Sequence, residues 1–514
     1  MTRRSPVPDS YRETELKFSV PAAWRLPDLR TAELPEADPP KRAVLTATYY
    51  DTDDLRLARS GVTLRRRTGG SDAGWHVKLP VGGEGRETRD EIRLPLRAAA
   101  AGQVPAKLTD VVRALTRGAE LLPRATVRTR RTTVVLRDTH GRPSVEVADD
   151  RVAISEGPLD GTSYREIETE ALAPSAPLAR IADHLVLSGA ERSAVSKGIR
   201  AIAGDVALVP VVPAPRPCSP DADAATAVAN LLRTQVTALI GQDLRMRRDL
   251  PDSVHQFRVA ARRLRSGLQS FGPLVDQRWA KRTRAELGWA AGTMGASRDR
   301  EVLEERLMAG LRALPQDIDR AAGLVVVRDT LDADRLAAAG VGRAALASPR
   351  YLALLDALVA AANDPPTTAR AAGRAGDVLP PLVVARWDTL ERAARGLADE
   401  IDGHDDLWHR TRIDSKKARY TAEAVVPVFG APAKAFAQQL ARVTDLLGRH
   451  QDCAIAAATV AAMVDRDTGP RAAFALGALY EQQREELREV RRAFLLMWPE
   501  VERGRWRRWL KDSR

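Results

Sequence analysis

Between Tyr11 and Phe18 the chain reads Tyr-Arg-Glu-Thr-Glu-Leu-Lys-Phe, which sets Glu13, Glu15 and Lys17 at every second position. In a β-strand these three side chains leave the same face. Burying that face dry would mean desolvating two carboxylates and an ammonium, which packing does not compensate. The segment therefore belongs on a solvated surface or in a wet, charged interior.

Later strand-like segments decide between the two. Their alternating charges are Arg65 and Arg67; Lys78; Glu87, Arg89, Glu91 and Arg93; Arg128 and Arg130; Glu146; and Glu168 with Glu170, and Lys197 follows in Ser196-Lys197-Gly198. One such row is normally the wet face of a sheet. Seven rows carrying both signs point to strands that close around a charged tunnel. Phosphoryl transfer on a highly charged phosphate chain needs both kinds of group, because Arg and Lys clamp phosphate oxygens while clustered Glu bind hard divalent cations. His and Cys are nearly absent from this region, which favours Mg²⁺ or Mn²⁺ over zinc.

Residues 11–205 hold short period-two segments (45–50, 62–67, 74–79, 87–94, 125–136, 144–147 and 164–171) separated by Gly, Asp and Pro turns. That spacing predicts an antiparallel sheet or barrel with small helices between strands. Pro210, Pro213, Pro215, Pro217 and Pro220 leave no room for either regular element, so 206–221 reads as a linker. Beyond it the chain is rich in Ala, Leu and Arg with helical periodicity.

The Glu-x-Glu-x-Lys opening, Leu64-Arg-Arg-Arg67, Trp75-His-Val-Lys78-Leu-Pro, the Glu-x-Glu before Ala171 and Ser196-Lys197 together resemble the CYTH domain of the triphosphate tunnel metalloenzymes, over about residues 9–205. The resemblance implies an antiparallel eight-stranded tunnel acting on triphosphates with a divalent metal. Transferred by position, Lys17, Arg65, Arg67, Lys78, Arg128, Arg130 and Lys197 hold the triphosphate. Glu13, Glu15, Glu91, Glu146, Glu168 and Glu170 bind metal or orient water; Glu13, Glu15, Glu146, Glu168 and Glu170 form the metal set, and Glu13, Glu15, Lys17, Glu91, Glu168 and Glu170 the catalytic one. Two positions stay open. The run Arg128-Thr-Arg-Arg131 permits a one-residue slip, and Glu146 or Asp150 fills the acidic position near Val147.

The helical half repeats itself. Val254-His-Gln-Phe-Arg-Val-Ala-Ala-Arg-Arg-Leu-Arg265 aligns with Trp408-His-Arg-Thr-Arg-Ile-Asp-Ser-Lys-Lys-Ala-Arg419, at an offset of 409 − 255 = 154 residues. Met294-Gly-Ala-Ser-Arg-Asp299 matches Leu447-Gly-Arg-His-Gln-Asp452 at nearly the same offset. On a helix, His255, Arg258, Arg262 and Arg265 span an arc of roughly 80°. Arg263 adds charge, and His409, Arg412, Lys416, Lys417 and Arg419 repeat the pattern, so two basic arcs related by a pseudo-two-fold would meet in one cleft. These motifs look like the CHAD domain, over about 222–508, with halves at 222–362 and 377–508. The resemblance implies a helical bundle with a cleft for inorganic polyphosphate.

Composition narrows the partners. At 514 residues the chain holds two to four domains, and a net charge of +12 favours polyanions. Aromatics are 4% of residues, too few to interleave stacking platforms with the basic groups, which places nucleic acid last among those polyanions. No apolar run spans a bilayer, and Met1-Thr-Arg-Arg-Ser-Pro leads into no apolar segment, so a cytoplasmic protein is expected, which the resemblance to CHAD would associate with polyphosphate granules. Cys218 and Cys453 have no metal-ligand spacing. The expected whole is an α+β multidomain chain whose tunnel cleaves inorganic triphosphate with Mg²⁺ or Mn²⁺ and whose helices bind polyphosphate. The alternatives are cyclase-type use of ATP and a non-catalytic polyphosphate scaffold.

Overall fold

The computed structural model describes residues 10–81, 88–100, 102–204, 206–398, 401, 403–465 and 468–512. It divides into two compact units, Met1–Val211 and Val212–Arg514.

The strands of the first unit are β1 (Ser10–Val20), β2 (Glu36–Ala37), β3 (Lys41–Asp51), β4 (Thr63–Thr68), β5 (Gly74–Pro80), β6 (Thr88–Pro95), β7 (Leu122–Arg137), β8 (Pro143–Glu156), β9 (Ser163–Ala171) and β10 (Glu191–Ser193); its helices are α1 (Ala106–Val111), α2 (Arg113–Thr116), α3 (Leu178–Leu187) and α4 (Lys197–Ala203). Eight strands form an antiparallel ring in the order β1-β6-β5-β4-β3-β7-β8-β9 and back to β1. Strand β1 closes it by dividing its partners: Ser10–Thr14 pairs with β6 and Glu15–Val20 with β9. Closure leaves no edge among the eight and turns one face of every strand inward.

Two apolar clusters hold the ring in shape. Outside, Leu16, Phe18, Val20, Leu136, Val145, Val147 and Ile167 pack under Leu178, Ile181 and Leu185 of α3. Inside, Ala47, Tyr49, Ala125, Val127, Val152 and Ile154 surround Ala201 and Ile202 of α4, so that α4 plugs part of the ring. Ser196 caps α4, its hydroxyl accepting from the Ile199 amide. A Cβ added at Gly198 would sit 2.3 Å from Cε1 of the Tyr49 ring. Gly198→Ala is therefore expected to destabilise the first unit by about 1–3 kcal/mol, the usual range for overpacking; an unchanged urea midpoint would show that the ring yields.

The second unit is helical: α5 (Ala224–Met246), α6 (Ser253–Ser270), α7 (Gln277–Ala313), α8 (Arg320–Ala347), α9 (Pro349–Asn363), α10 (Ala375–Arg395), α11 (Asp405–Met463), α12 (Pro470–Val501) and α13 (Trp509–Asp512). Helix α11 is two helices meeting at Gly430, whose φ of 65° breaks the regular ladder. Subtracting the repeat offset, 430 − 154 = 276, puts this break at Asp276, where the turn between α6 and α7 ends. Each basic motif thus starts a helix, and each Gly-containing second motif lies on the following one.

Candidate functional site

The ring encloses a cavity of about 610 Å³. Alternation places Glu13, Glu15 and Lys17 of β1, Arg65 and Arg67 of β4, Lys78 of β5, Arg89, Glu91 and Arg93 of β6, Arg131 of β7, Glu146 of β8 and Glu168 and Glu170 of β9 on its wall, with Lys197 from the first turn of α4. Carboxylates gather on β1-β9-β8. Cations predominate on β7-β3-β4-β5-β6, and in a closed ring these two arcs face each other.

Register explains who meets whom. Arg131, Asp150 and Glu166 stand directly opposite one another across β7, β8 and β9, while Glu146, Glu170 and Glu15 do so across β8, β9 and β1. Lys197 Nζ lies 2.5 Å from Asp150 and 2.9 Å from Glu166, and Arg131 bridges Asp150 at 2.6 Å and Glu168. Lys17 Nζ is 2.5 Å from Glu15 and 3.3 Å from Glu168. Lys78 Nζ is 2.6 Å from Glu13 and 3.4 Å from Glu15. Arg93 reaches Glu13 at 2.8 Å and also Glu91, whose other oxygen is 2.9 Å from Nδ1 of buried His76.

Burial acts against every one of these charges, and the neighbours decide the outcome. Burial would raise Glu15, but Lys78 and Lys17 hold it down at about 2. Glu168 is also held well below the usual carboxylate range, its burial outweighed by Lys17, Lys197 and Arg131. Glu170 is pushed up to about 7 by burial and the nearby Glu13 charge. Arg67 is brought down to about 9 by burial beside Arg65 and Arg131. The wall thus holds an arginine, Arg67, crowded by like charges although it pairs with Asp72, and a carboxyl, Glu170, crowded by other carboxylates. Among the described residues, neither Glu146 nor Glu170 has an ion-pair partner. Asp150, Glu166 and Glu168 place three carboxylate oxygens within 4.8 Å of one another, an acidic cluster able to bind a metal. The donors are all hard carboxylate oxygens, which fit a hard divalent cation.

Eleven of the tunnel residues expected from sequence line the cavity. Arg128 and Arg130 do not: both are exposed on the outside of β7, and Arg131 takes the inward position. The correction follows from packing. Ala125 and Val127 lie in the apolar plug, so Arg131 shares their face, and Arg128 and Arg130 share the opposite one. At the open acidic position both candidates point inward, Glu146 lining the cavity and Asp150 buried among Arg131 and Lys197. Glu87 lies outside the described residues. Glu166 was missed, although it continues the alternation of Glu168 and Glu170.

In the helical unit, Arg258 of α6 pairs with Asp299 of α7 and passes over Gly295, where an added Cβ would lie 2.5 Å from its Cδ. Gly295→Ala is expected to dislodge that guanidinium and weaken polyanion retention severalfold; retention equal to wild type would show that Arg258 is not a contact. Lys416 is pressed down to about 7 by burial and by Arg412 and Arg262, so the two basic arcs do meet. Arg262 and Arg412 each bury an Nε without a hydrogen-bond partner. Arg263 and Arg419 share Glu423, at 3.1 and 2.8 Å, tying one motif to the other. Arg265 lies against Gly288 and crowds Arg284 of α7 and, through it, Arg386 of α10. Neither Arg284 nor Arg386 belongs to a repeated motif, so repetition gave no signal for them. His255 and His409 are exposed, His409 hydrogen-bonding Gln451, and Lys417 is 2.8 Å from Asp414.

A charged eight-stranded tunnel followed by a two-fold basic helical unit defines the class, and the family comparisons agree. The CYTH domain family matches residues 11–201 and the CHAD domain family residues 230–461. The uncharacterized protein Rv2226 of Mycobacterium tuberculosis strain H37Rv is 32% identical, over 94% of this chain and 95% of its own; MT2285 of strain CDC 1551 gives the same figures. The chain belongs to this CYTH–CHAD family. Among solved structures, PptA from Streptomyces chartreusis is similar at 28% identity and a TM-score of 0.48, covering 54% of this chain and 99% of that one. The CHAD domain from the plant Ricinus communis is similar at 23% identity and a TM-score of 0.43, covering 55% of this chain and 96% of that one.

Proposed function

We propose that the barrel hydrolyses inorganic triphosphate with Mg²⁺ or Mn²⁺ and that the helical cleft holds inorganic polyphosphate. The observation that carries the first half is the confrontation, in one cavity, of a cationic arc with a carboxylate arc. Arg67 is pressed by burial and by the like charges of Arg65 and Arg131, and a triphosphate seated on the three relieves that repulsion while fixing its own orientation. Lys17, Lys78 and Lys197 complete the clamp. Glu13, Glu15, Glu146, Glu168 and Glu170, with Asp150 and Glu166, are the residues that would hold the cation, which when bound neutralises phosphate charge and acidifies an attacking water. Burial and the nearby Glu13 charge push Glu170 up to about 7, a repulsion that a cation held by these carboxylates would relieve. Tyr49 is the aromatic on the cavity wall among the described residues, and Gly198 covers its ring, so an adenine finds no stacking surface and the smallest triphosphate is favoured over ATP.

Phosphate release from tripolyphosphate, with ATP in parallel, tests this in wild type and Glu13→Gln/Glu15→Gln. Metal-dependent turnover of tripolyphosphate, lost in the variant, is the expected result. Cyclic AMP and pyrophosphate from ATP would establish the cyclase alternative, and no turnover with any divalent metal would leave a binding scaffold.

For the cleft, Lys416 supplies a pH signature. With its pKa near 7 in the unliganded protein, a bound polyanion raises it, so binding above pH 7 takes up a proton. Affinity for polyphosphate is therefore expected to fall as pH rises above 7, by at most about tenfold per unit. The same depressed pKa makes the unliganded fold more stable as pH rises from 7 toward the unfolded value, because the unfolded chain then binds the extra proton. Lys416→Arg should keep the affinity and flatten its pH dependence. A flat wild-type profile between pH 7 and 9 would refute the role of Lys416.

A further inference from the structure

The two arginines that the register turns out of the tunnel sit in a second basic site. Outside the barrel, a groove of about 460 Å³ is lined by Arg128 and Arg130 of β7, Arg151 of β8 and Arg165 of β9, above Val20 and Ala153. Arg130 is directly opposite Arg151, and Arg151 directly opposite Arg165. Like charges so placed destabilise a sheet. Arg165 is offset by Asp149 at 2.6 Å. Among the described residues, Arg128, Arg130 and Arg151 have neither a hydrogen bond nor an ion pair from their side chains. The fold therefore holds three exposed guanidinium groups without a protein counter-charge along a concave stretch of sheet.

We propose that this groove is an exterior binding site for an inorganic phosphate chain, separate from the tunnel. The cations are all arginines, whose planar forks match phosphate oxygens two at a time. Two arginines about 7 Å apart along β7 and a third about 5 Å away on β8 suit a flexible chain with a charge at every unit better than a single anion. Among the described residues the aromatic that borders the groove is Tyr164, and its ring packs on the apolar plug inside the barrel with Arg200 4.2 Å from its centroid, so bases find no platform outside and a base-free chain is favoured over RNA. Such a groove would bind a phosphate chain whether or not the tunnel turns one over.

Arginine-selective labelling by phenylglyoxal, mapped by mass spectrometry on the full chain, tests it. Long-chain polyphosphate is expected to lower labelling of Arg128, Arg130 and Arg151 severalfold while leaving exposed Arg30 and Arg142 unchanged. Equal labelling with and without polyphosphate overturns the proposal. Protection by single-stranded RNA that matches or exceeds polyphosphate at equal phosphate overturns the choice of a base-free ligand. Arg128→Ser/Arg130→Ser/Arg151→Ser should lose the retention assigned to this groove, seen as a salt-dependence slope smaller by about 2 for three lost contacts, with tripolyphosphate turnover unchanged. Loss of turnover in that folded variant would place these arginines in the tunnel's function and reject a separate site. Absence of turnover in wild type and variant alike would count against the hydrolase reading alone.

Discussion

Replacing Arg131 by methionine is expected to eliminate most tripolyphosphate turnover, while the same replacement at Arg130 leaves it unchanged. Arg131 holds Asp150 and Glu168 together, and the carboxylates are buried. Removing one partner of a buried ion pair leaves the other charge uncompensated, at a cost of about 3–5 kcal/mol. Lys197 still reaches Asp150 and Glu166, which places the expected loss of stability at the lower end of that range. Turnover falls further than stability alone requires, because a positioned cation facing the developing charge of a transferring phosphoryl group contributes about 10²–10³ in kcat. Arg131→Lys separates the two effects. It keeps a charge for the fold but cannot bridge two carboxylates and a phosphate in one plane, so thermal stability should recover while kcat stays low. Comparing initial rates per folded protein in the three variants decides the matter. Equal rates for the two methionine variants would remove Arg131 from the site, and loss confined to Arg130→Met would reverse the register argued above.

That register shows where sequence legibility ends. The tunnel's existence was readable because charge alternates cleanly on β1, β4, β6 and β9, whose inward faces are charged through the site. On β7 and β8 the pattern changes side. Ala125 and Val127 face inward to the plug, whereas Leu136 faces outward under α3; along β8, Val145 and Val147 face outward and Val152 and Ile154 inward. From Val127 to Leu136 the pairing of β7 with β8 keeps one register. What switches is the location of apolar cover, and the switch falls on Arg128–Thr133 and on Asp149-Asp150-Arg151. A periodicity argument that follows hydrophobic residues therefore ends β8 at Val147 and sets the β7 arginines on the wrong face. The helical repeat was legible for the opposite reason: a duplicated motif carries its own alignment. Arg284 and Arg386 lay beyond that signal because neither falls within a repeated motif, Arg284 preceding the second motif on α7 and Arg386 lying on α10, and they gather with Arg265 only on folding.

The second large effect concerns the cleft, where function and stability are expected to move in opposite directions. Arg262 and Arg412 bury guanidinium Nε atoms without hydrogen-bond partners, and Lys416 is desolvated beside both. Asp452 is the nearby counter-charge, and burial pushes its own carboxyl up. Three crowded cations with one poorly ionising acid are a liability to the unliganded fold, because each pays desolvation without full compensation. Arg262→Gln/Arg412→Gln/Lys416→Gln removes that liability and is expected to leave the thermal midpoint of the helical unit unchanged or raised. The same change removes three charge-assisted contacts to phosphate, each contributing about 1.5 kcal/mol or more, so polyphosphate affinity should fall about a thousandfold. Calorimetry and polyphosphate titration on the same full-length preparation read both quantities. A lower midpoint with lost binding would mean that the three residues build the unit, and that the loss of binding follows from misfolding. Retained binding with a raised midpoint would place the polyphosphate site elsewhere on the protein. Only a midpoint that is kept or raised, together with lost affinity, identifies side chains held in a crowded, charged state for the sake of a ligand.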